Sequence, residues 1–148
     1  MIPRVDFYIL TTPEPKARYP FACRLADKAY RQGHKIYIHT HTESEARILD
    51  DLLWSFQEDS FLPHNLYGDP SITLTPAIQI GCQADPLEHS DTLFNLNPDI
   101  PNFYQRFKRV IEVIPNEPQA REQARQHFRS YRERGCDLHT HDFNKQVG

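Results

Sequence analysis

Four arginines, Arg121, Arg125, Arg129 and Arg132, recur at helical intervals in one stretch of the chain. At about 100° per residue they fall within about 80° of one another on a helix, with Phe128 beside them. A guanidinium offers a planar fork of donors that fits a carboxylate or a phosphate. A row of such forks next to an aromatic ring suits an acidic peptide that carries an apolar side chain. Two other uses of the row stay open at this point. It can be an ordinary solvated helix face, or a phosphate track for single-stranded nucleic acid, which would call for exposed stacking aromatics and a basic groove.

A second cluster lies at 52–66, LLWSFQEDSFLPHNL, where the only tryptophan, Trp54, is followed by Phe61, Pro63, His64 and Asn65. Trp54 falls near a helix end and Phe61 to Pro63 in the loop after it. Aromatics beside a proline in a loop suit a protein-contact surface, and equally a loop folded back on the core.

Other chemistry finds less support. The pairs His39-Thr40-His41 and His139-Thr140-His141 would each put two imidazoles on one side of a strand, which permits metal ligation. No third ligand is identifiable, so exposed histidines at element ends are the plainer reading and no metal is expected. Cys23, Cys82 and Cys136 are widely spaced and form no CxxC, which indicates neither zinc nor disulfides. Cys23 sits inside a helical pattern and reads as packed. Asp50-Asp51 and Asp137 lie in charged stretches outside any triad or dyad pattern, and no catalytic residues are assigned.

These side chains must be held by elements that the pattern largely predicts. Val5–Leu10 (VDFYIL) reads as a buried strand and Phe21–Gly33 as a helix closed by Gly33. Lys35–Thr40 (KIYIHT) is a second strand. Thr42 and Glu45 then make a capping-box signature that opens a helix carrying Ala46, Leu49, Leu52, Leu53 and Phe56. Ser71–Gly81 reads as two extended pieces around Pro76, and Asp91–Asn97 as a strand. Phe103–Ile114 fits a helix, yet its end, VIEVI, fits a strand as well. Pro118–Arg134 is the strongest helical pattern, stopped by Gly135, and only the last few residues look frayed.

A β-α-β-α opening with short connections predicts an α/β fold: a single Rossmann-like domain over 1–148, mostly parallel sheet flanked by helices. Such sheets often hold nucleotides where their strands end. The connection Thr11–Pro20 contains no glycine, however, so there is no Gly-rich nucleotide loop to bring backbone N–H groups against a pyrophosphate. No cofactor is expected. An uncharacterised α/β nucleotide-binding enzyme is the alternative that the fold class leaves standing.

The bulk composition sets the frame. The chain has 148 residues, is 39% apolar and 25% charged, and carries a net charge of −3. That length buries a core without disulfides or metal. An acidic whole argues against duplex binding by bulk charge. The basic patch is local: Arg121, Arg125, Arg129, Arg132 and Arg134 stand against Glu122 and Glu133. With no signal peptide and no apolar run near the length of a span, a cytoplasmic location without membrane contact is expected.

Several segments together resemble a known family. The FYIL strand, the helix ending RQGHKIYI, the motif W-x6-F-x-P-H-N-L (Trp54, Phe61, Pro63, His64, Asn65, Leu66) and IEVIPNEPQAREQARQHFRSYRERG are similar to the chi subunit of bacterial DNA polymerase III. The likeness is collinear over essentially the whole chain. It implies a Rossmann-like domain without catalysis of its own, serving the polymerase holoenzyme as a clamp-loader accessory. It implies pairing with the psi subunit and binding of the acidic C-terminal tail of single-stranded DNA-binding protein, so that DNA is met only indirectly. It also implies, for some members, an iron–sulfur helicase on the surface that otherwise takes psi. The family's tail-binding cations match Arg121, Arg125 and Arg129, and its apolar pocket matches Ile114 and Phe128, where Phe128 stands in place of a tyrosine. Trp54, Phe61, Pro63 and His64 are the matching candidates for the psi or helicase surface.

Overall fold

A computed structural model describes residues 2–55, 63–66, 77–82, 86 and 89–145. The elements run β1 (Arg4–Ile9), α1 (Arg18–Arg31), β2 (Ile36–Thr40), α2 (Glu43–Ser55), β3 (His64–Leu66), β4 (Ile78–Cys82), β5 (Thr92–Asn95), β6 (Arg109–Ile114), α3 (Pro118–Glu133) and β7 (Asp137–Asp142). Among the described residues seven strands form one sheet in the order β3-β4-β2-β5-β6-β1-β7. All six pairings are parallel. The α/β, Rossmann-like architecture follows, with a sheet more uniformly parallel than the sequence required.

Alternation along each strand divides the core into two layers. Ile36, Ile38, Ile78, Ile80, Phe94 and Ile111 face α1 and α2, meeting Ala22, Cys23, Ala26, Leu49 and Leu53. Val5, Phe7, Tyr37, Leu93 and Val110 face the other way, toward Tyr104, Phe107 and Tyr131 of the α3 side. Burying each of the Val, Leu, Ile and Phe side chains stabilises the fold by roughly 1.5–3 kcal/mol. The central strand β2 is buried at all five positions, as parallel strands covered on both faces must be.

The local signals hold where they had a mechanism. Thr42 Oγ accepts the Glu45 backbone N–H at 3.2 Å, which caps α2. Gly33 and Gly135 follow α1 and α3 with φ of +89° and +81°, the left-handed turn that glycine adopts without strain. The ambiguous stretch 103–114 divides into a 3₁₀ turn at Asn102–Arg106 and the strand β6. Two strands escaped the pattern. His64–Leu66 lies in what reads as a loop, yet pairs with Ile78–Ile80. Asp137–Asp142 (DLHTHD) has one apolar residue, and forms an edge strand beside β1. The extended piece before Pro76 lies outside the described residues.

A buried carboxylate ties β7 to the sheet. Asp6 is fully buried on β1. It accepts hydrogen bonds from Arg4 Nε (3.1 Å), Arg109 Nε (2.8 Å) and His141 Nε2 (2.9 Å). Burial alone would push its pKa up, but these three donors outweigh burial and hold it at about 2. His141 also stacks on Tyr8 at 4.4 Å. Among the described residues no helix is long and apolar enough to cross a membrane.

Candidate functional site

The helix α3 is fixed at its start by Glu117, whose carboxylate accepts the N–H groups of Gln119 and Ala120, both at 2.9 Å. Pro118 occupies the first turn, where its missing N–H costs nothing. Its inner side inserts His127 and Tyr131 beneath the helix, and both reach Glu112 of β6. That anchorage fixes the rotation of the helix and thereby the direction of its arginines.

The arginines converge on one cleft of about 380 Å³ between α3 and the sheet. Ile9, Ile114 and Phe128 give it apolar walls, and Arg121, Arg125, Arg129 and Arg132 ring it. Phe128 is seated on Phe7, ring centres 5.5 Å apart. All five residues marked by resemblance, Ile114, Arg121, Arg125, Phe128 and Arg129, therefore line the same cavity. The sequence did not show Phe7, Ile9 and Thr140, which complete the lining from β1 and β7. Alternation along β1 placed Phe7 and Ile9 on one face, but nothing local placed that face under α3.

The cations differ in their commitments. Arg121 Nε donates to Asn116 Oδ1 at 2.8 Å. Arg125 Nη1 donates to Glu122 Oε2 at 3.0 Å, and Arg129 Nη2 lies 3.8 Å from the other oxygen of that carboxylate. The Arg132 guanidinium makes no hydrogen bond or ion pair among the described residues. An apolar trough ringed by exposed guanidinium groups can hold a carboxylate and cover an apolar side chain at once.

The aromatic cluster is a second surface. Trp54, on the last turn of α2, is 58% exposed. Its ring meets His64 edge-on at 4.7 Å. The His64 side chain is buried, with Nε2 3.3 Å from Asp50 Oδ1, so it supports the indole from beneath rather than facing solvent. Pro63 is half-buried. Phe61 lies outside the described residues.

The strand ends carry a further cleft of about 420 Å³, where a nucleotide would be sought in such a fold. Its charged groups are already paired with the protein. Arg18 spans Leu96 O at 3.1 Å and Glu45 Oε2 at 3.2 Å. Glu117 takes the N–H groups at the start of α3 that an anion would seek. Among the described residues no group of three or more His, Cys, Asp or Glu side chains could hold a metal ion. The paired histidines do not all sit exposed at element ends as expected: His39 is buried within the central strand β2, its pKa lowered to about 4 by desolvation, and His141 holds Asp6.

Comparison with known proteins finds relatives along nearly the whole chain. Residues 2–139 match the family described as DNA polymerase III chi subunit, HolC. The chain is 41% identical over 138 residues to DNA polymerase III subunit chi of Pseudomonas aeruginosa, covering 93% of this chain and 95% of that protein. It is 32% identical over 140 residues to the Haemophilus influenzae subunit chi, covering 95% and 97%. With the Escherichia coli subunit chi it shares 29% over 138 residues, covering 90% and 94%.

Proposed function

This chain belongs to the family of DNA polymerase III chi subunits, and we propose that it works there as a non-catalytic tether in the cytoplasm. One side would hold the acidic C-terminal tail of single-stranded DNA-binding protein, and the other the psi subunit of the polymerase assembly. The observation that carries the tail reading is the convergence of four guanidinium groups and a set of apolar side chains on one cleft. A peptide ending in acids, an apolar residue and a free carboxylate matches that arrangement group for group. In this reading Arg125 pairs with the terminal carboxylate while Ile114 and Phe128 cover the apolar side chain. Arg121 and Arg129 attract the upstream acids.

The cations are wholly or partly exposed, so the affinity should be modest, in the micromolar range or about −8 kcal/mol, and should weaken with salt. Many tails on one coated strand would raise the effective concentration. DNA is then engaged only through its coat. Trp54, propped by His64, is the proposed seat of psi, or of an iron–sulfur helicase that takes the same surface, with Pro63 and Phe61 as the further candidates from the sequence. The exposed indole supports this, since a tryptophan left 58% in solvent is poorly used by the core.

The test is a fluorescence titration with a labelled peptide of that composition, using wild type and Arg125→Ala. Micromolar binding by wild type should fall about ten-fold or more in the variant, with an unchanged far-UV spectrum. No binding by the wild-type protein would sink the tail reading. Equal affinity for a free oligonucleotide would point instead to direct single-strand contact.

A further inference from the structure

The arginine cleft is not electrically empty in the free protein, and the following rests on its reading as an acid-binding site. Glu122 presents both carboxylate oxygens to the row, one 3.0 Å from Arg125 Nη1 and the other 3.8 Å from Arg129 Nη2. A docking peptide's carboxylate would present its oxygens to the same two groups. Glu122 is not among the cleft-lining residues, so it draws those guanidinium heads toward itself from outside the cavity. The three side chains are 54%, 61% and 57% exposed for Glu122, Arg125 and Arg129. Pairs this exposed are weak and exchange readily. Arg121 is held by Asn116, which leaves Arg132 as the cleft arginine without an ion pair or hydrogen bond among the described residues.

We propose that Glu122 is a resident competitor for the acidic ligand, occupying Arg125 and Arg129 in the empty cleft and giving them up when a peptide docks. Arg132 then makes the first contact, and the exchange at Arg125 and Arg129 follows. The arrangement is a specificity device. A lone carboxylate gains at these two arginines little more than Glu122 already supplies. A ligand with an apolar end and further acids gains contacts that Glu122 cannot imitate.

The test titrates a labelled synthetic peptide of aspartates ending in phenylalanine with a free carboxylate. The proteins are wild type, Glu122→Gln, Glu133→Gln and Arg125→Ala, at low and high salt. Glu133 is exposed on the same helix, outside the cleft lining, and its variant removes the same charge. Glu122→Gln should bind about two- to five-fold tighter at low salt, with the advantage shrinking at high salt. Glu133→Gln should stay close to wild type. If Arg125→Ala abolishes binding but Glu122→Gln matches wild type, the tether stands and the competitor is refuted. Equal tightening by Glu133→Gln would reduce the effect to net charge and refute it too. If neither wild type nor Glu122→Gln binds, both readings fall together.

Discussion

Glu112 sits in the middle of an apolar strand, 5% exposed, and takes hydrogen bonds from three directions. Asn95 Nδ2 donates at 2.9 Å, Tyr131 Oη at 2.7 Å, and His127 Nδ1 lies at 3.1 Å. The other ring nitrogen of His127 meets the Pro98 carbonyl at 2.8 Å. With acceptors at both nitrogens, the imidazole is fully used only when it carries both protons. Burial would lower the His127 pKa, but Glu112 and the Pro98 carbonyl outweigh it and raise the value above the usual 6.5. A raised folded-state pKa means the stabilisation is complete below the unfolded value and is lost as pH rises through the folded one. His127→Gln should therefore cost about 1–3 kcal/mol at about pH 6, and less at about pH 9. Calorimetry at both pH values checks this, and a gap that does not narrow would refute it. None of this was legible in the sequence, where VIEVI reads as apolar with one stray acid. The arginine row was legible, because its spacing is the helix period itself.

Elements were legible in proportion to how local their causes are. The capping box before α2, Gly33 after α1 and the periodicity of α3 each act within a few residues. β7 was not, because an edge strand with polar residues on both faces has no alternation of hydrophobicity to betray it. β3 is three residues long and acquires strand geometry only from β4. At this scale the critical contact is the cap of α3. Glu117→Ala leaves the Gln119 and Ala120 N–H groups without that acceptor and should cost about 0.5–2 kcal/mol in urea unfolding. It should also weaken peptide binding, since fraying loosens the first turn that carries Arg121. An unchanged midpoint would show that the cap is dispensable.

Across the whole molecule the two proposed surfaces lie far apart. Trp54 stands by β3 at one edge of the sheet, and the arginine cleft lies over β6, β1 and β7 toward the other. Seven strands spaced about 4.8 Å apart put roughly 29 Å between those edges. They also lie in different layers, α2 on one face and α3 on the other. Trp54→Ala should thus leave peptide affinity unchanged, and Trp54→Ala/Arg125→Ala should equal the sum of its parts within about 0.5 kcal/mol. A measured coupling larger than that would mean the sheet transmits between them. The parallel α/β class was readable from the β-α-β-α opening, whereas the strand order was not, because it pairs segments that share no local pattern. Asp6 and His141 meet across 135 positions of chain. Among the described strands the earliest in chain order lies between the two latest, since β1 is flanked by β6 and β7. The expected consequence is temporal: β3, β4, β2 and β5 can assemble while synthesis continues, but Phe7 and Ile9 wait uncovered for α3. The cleft cannot close until α3 and β7 have been added, so a nascent chain that stops short of them has no seat to offer the ligand.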